Sequence, residues 1–307
     1  MAEMEPFILL APTVSKEHIM ALIPFDDRDG SIWLNGEVVP WRDAKTHTLS
    51  HGLHYASLVF EGERVYSGRV FKGAEHTKRL RASANMLDFD VPISNDEVEL
   101  AKRELLEANG IADGYVRAFC WRGSEMMAIS AQQTTTHFAI AAWEWPSYFD
   151  PDTKMKGITL DIAKWCRPAP NSAPVHAKAA GLYMICTLSK HEAEKNGFND
   201  ALMLDYRGYV AEATGANVFF IDAKGVLHTP VADCFLDGIT RRTVIAIAQS
   251  MQMKVVERHI RPEEMSDMDE CFLTGTAAEV TPVSRIGKYE FTPSDISRAL
   301  VNAYEKI

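Results

Sequence analysis

A chain of 307 residues is long enough for two domains of about 150 residues each, and 47% hydrophobic with 24% charged residues excludes a disordered or fibrous chain. Forty-two acidic against 32 basic residues leave a net charge of −10, and no Lys/Arg run is long enough to make a nucleic-acid surface. The apolar patch at the N-terminus is broken by Glu3, Glu5, Lys16, Glu17 and His18, so neither a signal peptide nor a membrane span is expected and the cytoplasm is the default compartment.

Residues 1–30 lack periodicity and read as an extension, with DDRDG as a loop at its end. SIWLNGEVVPW then reads as a β-hairpin turning at Asn35-Gly36. His47, His51 and His54 follow at spacings of four and three, but no Cys or carboxylate lies among them to complete a metal site. They are expected to cap, hydrogen-bond and pack ahead of a strand in SLVFEGERVY. Helical periodicity covers Ala74 to Phe89 and Asn95 to Asn109, the second with Asn95 as N-cap and Gly110 as stop. GYVRAFCW and HFAIAAWEW are β-branched and aromatic runs that read as neighbouring strands, making the first half an α+β unit.

PSYFDPDTKMKG, residues 146–157, clusters Pro, Asp and Lys without periodicity and is read as a linker. The expected organisation is an extension (1–30), a small α+β domain (31–145), the linker, and a large domain (158–307). In that second half ITLDIAKW is a strand, Ala179 to Asn196 a long helix ended by Gly197, and ALMLDYRGYVAE a hairpin turning at Arg207-Gly208. Short strands continue through GANVFFIDAKGVLHTP, then a helix from Ile239 to Met251, a strand in KVVERHI, a helical turn at Arg261 to Met265, strands in ECFLTGTAAEVTPVSRIG, and a last helix from Ser294 to Glu305. The pattern is strand-rich and mostly antiparallel, with helices outside and no internal repeat. Cys120, Cys166, Cys186, Cys234 and Cys271 show no C-x-x-C spacing and read as reduced core thiols.

The chemistry centres on PVHAKAAGLY, where Lys178 is the one charged residue besides His176 among alanines and a glycine. A dry setting lowers the pKa of a lysine and makes its neutral amine a nucleophile or base; the plain alternative is a surface lysine at an Ala-rich helix start. Downstream, Glu212 in YVAEATGANVFF runs into an apolar strand and needs a cationic partner or several donors. The Gly-Ile-Thr turn of LDGITRRTVIAIA opens a helix, and FLTGTAAEVTP runs into a small-residue turn; both offer backbone N–H groups to phosphate.

From Ser31 to about Lys288 the chain resembles the branched-chain aminotransferases, a fold-type-IV family of pyridoxal-phosphate enzymes. The resemblance rests on LHYASLVFEGERVY, EHTKRLRASA, GYVRAF, AKAAGLY, GYVAEATGANVFF, LDGITR and TGTAAEVTPV, in family order and spacing. It implies an α+β fold with a smaller N-terminal α/β domain and a larger strand-rich pseudo-barrel domain with outer helices. It further implies pyridoxal 5′-phosphate as cofactor, a homodimer or higher homo-oligomer, and transamination of L-leucine, L-isoleucine and L-valine with 2-oxoglutarate.

Carried over by position, Lys178 forms the Schiff base with the cofactor, Glu212 faces the pyridine nitrogen, Tyr183 reaches the ring hydroxyl and Leu236 packs on a ring face. Arg79, Gly238, Ile239, Thr240 and Thr276 hold the phosphate. Tyr55, Phe60, Gly62, Tyr115, Arg117 and Trp145 line the substrate pocket, Ala277 and Ala278 take the α-carboxylate, and Met127 and Ile129 match positions lent by a neighbouring subunit. Arg64 fits the family sequence, but the resemblance assigns it no role. Ala216, where many members carry glutamate, and MMAIS, in place of a more glycine-rich loop, depart from the family pattern. An (R)-amine transaminase, a D-amino-acid transaminase or an aminodeoxychorismate lyase on the same fold remain open on sequence alone, with a non-catalytic binding protein as the remote reading.

Overall fold

The structure is a computed structural model that describes residues 23–145 and 154–306. Asn35 and Gly36 both take positive φ (51° and 105°), the backbone that a two-residue hairpin turn requires to match strand twist. They join β1 (Ser31–Leu34) to β2 (Glu37–Pro40), as the sequence predicts. β3 (Leu58–Phe60), β4 (Glu63–Tyr66), β5 (Arg69–Val70), β6 (Gly114–Arg122) and β7 (Thr136–Glu144) complete an antiparallel seven-stranded sheet in the order β2-β1-β7-β6-β4-β5, with β3 also on β6. A short helical turn, α1 (His51–His54), precedes β3.

The amphipathic helices α2 (Gly73–Met86) and α3 (Asn95–Asn109) belong to this half. Leu80, Ala84, Val98 and Leu105 from the helices share one core with Val116, Ala118, Phe138 and Ile140 from the strands. The N-cap of α3 is Ser94 rather than Asn95: its hydroxyl accepts from Glu97 N, and the Glu97 carboxylate accepts from Ser94 N, a reciprocal capping box. Gly110 stops the helix at φ 64°.

The second sheet runs through β8 (Ile158–Ile162), β9 (Asp200–Leu204), β10 (Val210–Ala213), β11 (Asn217–Asp222), β12 (Leu227–Thr229), β13 (Val255–Glu257), β14 (Met268–Gly275), β15 (Glu279–Ile286) and β16 (Tyr289–Glu290). The path β10-β9-β8-β15-β14-β11 closes on itself because β11 also pairs with β10, at Glu212↔Asn217. Six strands thus make a barrel whose seam is that residue pair. β8 is parallel to β9 and β15, and β12 to β13; the other pairings are antiparallel.

Alternate residues of β11 feed two cores, as strand periodicity demands. Val218 and Phe220 pack with Leu160, Leu202, Leu273 and Val283. Phe219 and Ile221 pack outward with Val244 and Ala248 of α5 (Ile239–Ser250) and Leu300 and Val301 of α6 (Asp295–Tyr304).

Two further expectations need correction. Ala179 to Asn196 is not one helix: Ala179 stays extended (φ −104°, ψ 138°) because it bridges to Val59, and only a 3-10 turn (Ala180–Leu182) followed by α4 (Met184–Lys195) is helical. Cys166 is exposed, unlike the other four thiols. Most of the expected linker, residues 146–153, and residues 1–22 of the extension lie outside the described residues.

Candidate active site

Lys178 is held at the meeting of the two halves. Its backbone N donates to Ser83 Oγ of α2 (2.9 Å) and its carbonyl accepts from Phe60 N (3.1 Å), so the segment is pinned alongside β3. The ammonium donates to Tyr183 Oη at 2.8 Å and lies 5.0 Å from the centre of the Phe60 ring. The lowered pKa expected from a dry setting does not hold for this pair. Burial pushes the amine down, but the Tyr183 oxygen, and Glu61 beyond it, outweigh burial and the opposing Arg79, leaving it above its ordinary value.

Glu212 is buried at the barrel seam. Asn217 across the seam donates to Glu212 Oε2 (3.1 Å) and to Leu236 O (3.0 Å) and accepts from Gly238 N (3.1 Å), so a single amide ties the carboxylate to the turn before α5. Arg167 supplies the cation the sequence demanded, with Nε 3.3 Å from Glu212 Oε1. Even so, desolvation dominates over Arg167 and Lys178, and the Glu212 carboxyl is pushed up to about 7.

Gly238 is the N-cap of α5, with no side-chain cap and no acidic residue in the first turn. A Cβ at Gly238 would sit 2.2 Å from Asn217 Oδ1, so glycine is required for the close approach. The open helix N-terminus is an anion site by its dipole and free N–H groups. Arg79 lines the same cavity, oriented by a bidentate pair with Glu61 (2.7 Å and 2.7 Å). His76 Nδ1 lies 2.7 Å from Glu61 Oε2. Burial would raise the Glu61 carboxyl, but Arg79 and His76 overcome it and hold it down at about 2.

One cavity is lined by Arg79, Lys178, Tyr183, Glu212, Leu236, Gly238, Ile239, Thr240 and Thr276. The whole cofactor set named from the sequence is therefore brought together, across more than 190 positions of chain (Arg79 to Thr276). An amine beside a phenol, a carboxylate facing a cation, and a phosphate-sized donor cluster suit a phosphorylated, nitrogen-containing aromatic aldehyde. The sequence offered no signal for Arg167, and Asn217 was hidden as the first residue of a strand; Glu61 was visible only as the acid between Phe60 and Gly62.

The substrate set is less unified. Phe60 meets Tyr183 edge to face (4.8 Å), and Arg117 lies over Phe60 (4.9 Å) and near Tyr115 (5.7 Å). Tyr115 covers Gly62, where a Cβ would be 1.7 Å from the phenol oxygen, and its ring is 5.6 Å from Trp145. Arg117 and Trp145 also line a second hollow with Phe25 and Trp41. Ala277 and Ala278 follow Thr276 in the turn between β14 and β15, Ala277 exposed. None of the ten residues named for the substrate lines the cofactor cavity itself, Tyr55, Met127 and Ile129 among them. Tyr55 stacks on His51 (4.6 Å), whose Nε2 is 3.2 Å from Ala128 O, so these three adjoin one another on an exposed face.

Residues 58–286 match the amino-transferase class IV family. A protein of Rickettsia bellii (strain RML369-C), named as a probable branched-chain-amino-acid aminotransferase, is 44% identical over 280 residues, 90% of this chain and 95% of that one. A solved branched-chain amino acid aminotransferase from Escherichia coli superposes with a TM-score of 0.85 at 34% identity, covering 91% of this chain and 94% of the other. A solved branched-chain amino acid aminotransferase from Thermobaculum terrenum, in its PLP-bound holo-form, gives 0.82 at 30% identity over 91% of this chain and 93% of the other. A family match over about three quarters of the length, carried on the fold and the cavity just described, makes this chain a member of the class IV aminotransferases.

Proposed function

We propose that the chain is a branched-chain-amino-acid aminotransferase that uses pyridoxal 5′-phosphate to move the amino group of L-leucine, L-isoleucine or L-valine to 2-oxoglutarate. The observation that carries this reading is the single cavity holding Lys178, Tyr183, Glu212, Arg79 and the N-terminus of α5. Bound there, the cofactor supplies an aldehyde to carry the amino group and a ring to take up the electrons released at the substrate Cα.

The residues divide the remaining work. Arg79, fixed by Glu61, and the first N–H groups of α5 hold the phosphate with Thr276. Glu212 holds the ring nitrogen, its charge favouring the protonated ring. Lys178 Nζ moves the proton at Cα as base and then acid, and Tyr183 Oη is the partner that keeps the amine oriented. Phe60, Tyr115 and Trp145 give the branched side chain apolar walls. Arg117, whose buried Nε makes no hydrogen bond, is the group for the second carboxylate of glutamate. Ala277 and Ala278 take the α-carboxylate, and Tyr55, Met127 and Ile129 belong to the contact between two subunits of a homodimer. The two sheets with their distinct cores, the first of which also takes in Ala177, Ala179 and Leu182, support a division into domains at 31–145 and 158–307. No helix among the described residues is long and apolar enough to cross a membrane, and we place the enzyme in the cytoplasm.

The test is the visible absorbance of the cofactor-loaded protein. L-Leucine should convert the spectrum and 2-oxoglutarate should restore it, whereas D-alanine and a chiral aryl amine should leave it unaltered. Lys178→Ala should lose turnover and the starting spectrum together. A spectrum indifferent to L-leucine overturns the reading.

A further inference from the structure

Arg64 and Tyr66 leave β4 toward the second half of the molecule and converge on Glu279, the first residue of β15. Tyr66 Oη donates to Glu279 Oε1 at 2.7 Å, Arg64 Nε lies 3.8 Å from the same oxygen, and Lys154 Nζ donates to Oε2 at 3.3 Å. Arg64 also donates through Nη1 to Trp145 O at 2.8 Å. Three groups from two distant segments thus grip one mostly buried carboxylate, and the same arginine holds the backbone carbonyl of Trp145.

Glu279 is also conformationally constrained. Its φ is +52°, a left-handed backbone that is unfavourable for a non-glycine residue and persists only where surroundings impose it. It directly follows Thr276, Ala277 and Ala278, which form the turn between its β-partner Gly275 and itself. That turn carries the phosphate and α-carboxylate groups in the reading above, and this inference rests on that reading.

We infer that Glu279 is a positioning residue: held by Tyr66 and Arg64 of β4 from the first half and by Lys154 from its own side, it sets the bend of the Thr276–Ala278 turn and so the affinity for the α-carboxylate common to every substrate. Burial and the Glu279 charge hold the Tyr66 phenol protonated far above neutrality, so the donor is present throughout the working range. Because the α-carboxylate is shared, weakening the grip acts on amino acids and 2-oxo acids alike, whatever their side chains.

The test compares Glu279→Gln, which keeps size and removes charge, and Tyr66→Phe, which removes one donor, in the cofactor-loaded full-length protein. The probe is 4-methylvaleric acid, a carboxylate with a branched chain and no amino group, titrated calorimetrically. Its Kd should rise about tenfold in Glu279→Gln and by a smaller factor in Tyr66→Phe, a tenfold change being the scale of one lost polar restraint. KM for leucine, valine and glutamate should rise by one common factor, with the double variant no worse than Glu279→Gln alone, since both changes break one network. A Kd within twofold of the parent in both variants overturns the inference. So does a KM rise confined to glutamate, which would put Glu279 in the Arg117 pocket. If Lys178→Ala keeps turnover, the site reading itself fails; if Lys178→Ala is dead while 4-methylvalerate binding is unmoved in both variants, only the role of Glu279 falls.

Discussion

Glu212 has one ion-pair partner, Arg167 at 3.3 Å, the more remote Lys178 ammonium and one amide donor, Asn217 at 3.1 Å, and together they are too little to offset its burial. With its carboxyl at about 7 in the folded chain and 4.5 in the ordinary state, the folded protein binds the proton more tightly than the unfolded one. The stabilising contribution is therefore present below pH 4.5 and is lost as pH rises through 7. In the cofactor-free protein, urea unfolding should show the wild type losing about 3 kcal/mol relative to Glu212→Gln between those limits, at roughly 1.4 kcal/mol per pKa unit. Parallel stability curves for the two proteins would remove the strained-acid account. The same imbalance has a use: a carboxylate so poorly compensated is suited to a protonated ring nitrogen, which supplies the missing charge.

At the level of elements, the N-terminus of α5 joins the barrel seam to the phosphate side of the cavity through Gly238 and Asn217. Gly238→Ala would place a methyl 2.2 Å from Asn217 Oδ1, so the amide must swing off Glu212 and Leu236 or the helix start must move. Either way the affinity for pyridoxal 5′-phosphate should fall at least about tenfold by equilibrium titration, a loss on the scale of one polar restraint, with the circular dichroism of the fold retained. Unchanged affinity would mean that the seam and the cradle are independent. Legibility followed the range of the forces involved. The Asn35-Gly36 turn, the Gly110 stop and the periodic helices were readable because their causes lie within a few residues. Ala179 failed as a helix residue because its bridge to Val59 comes from 120 positions away. The residues named for the cofactor came from seven ordered motifs, and the fold gathers them along one cavity. Arg167, Asn217 and Glu61 serve those groups from behind, and no local pattern marks a residue whose partner is set by the tertiary fold.

On the scale of the whole molecule, two sheets meet at the Lys178 segment, and the cavity opens at their junction. Elsewhere on the molecule lies an apolar face that no other described residue covers: Leu53 is 66% exposed, Tyr55 45%, Met127 57% and Ile129 84%. Exposed apolar groups of this kind mark a surface for association, and the packing of Tyr55 on His51, with His51 Nε2 3.2 Å from the Ala128 carbonyl, brings the two segments together. If two subunits meet there, Ile129→Asp places a charge in a desolvated contact and should shift the species in sedimentation velocity from dimer toward monomer. The diagnostic is the concentration dependence of L-leucine turnover. The variant should have low specific activity when dilute and regain it as the protein is concentrated, because mass action restores a site that needs both subunits. A wild type that sediments as a monomer at working concentration, or an Ile129→Asp protein whose mass and activity match the parent at every dilution, would leave this face with no part in the enzyme.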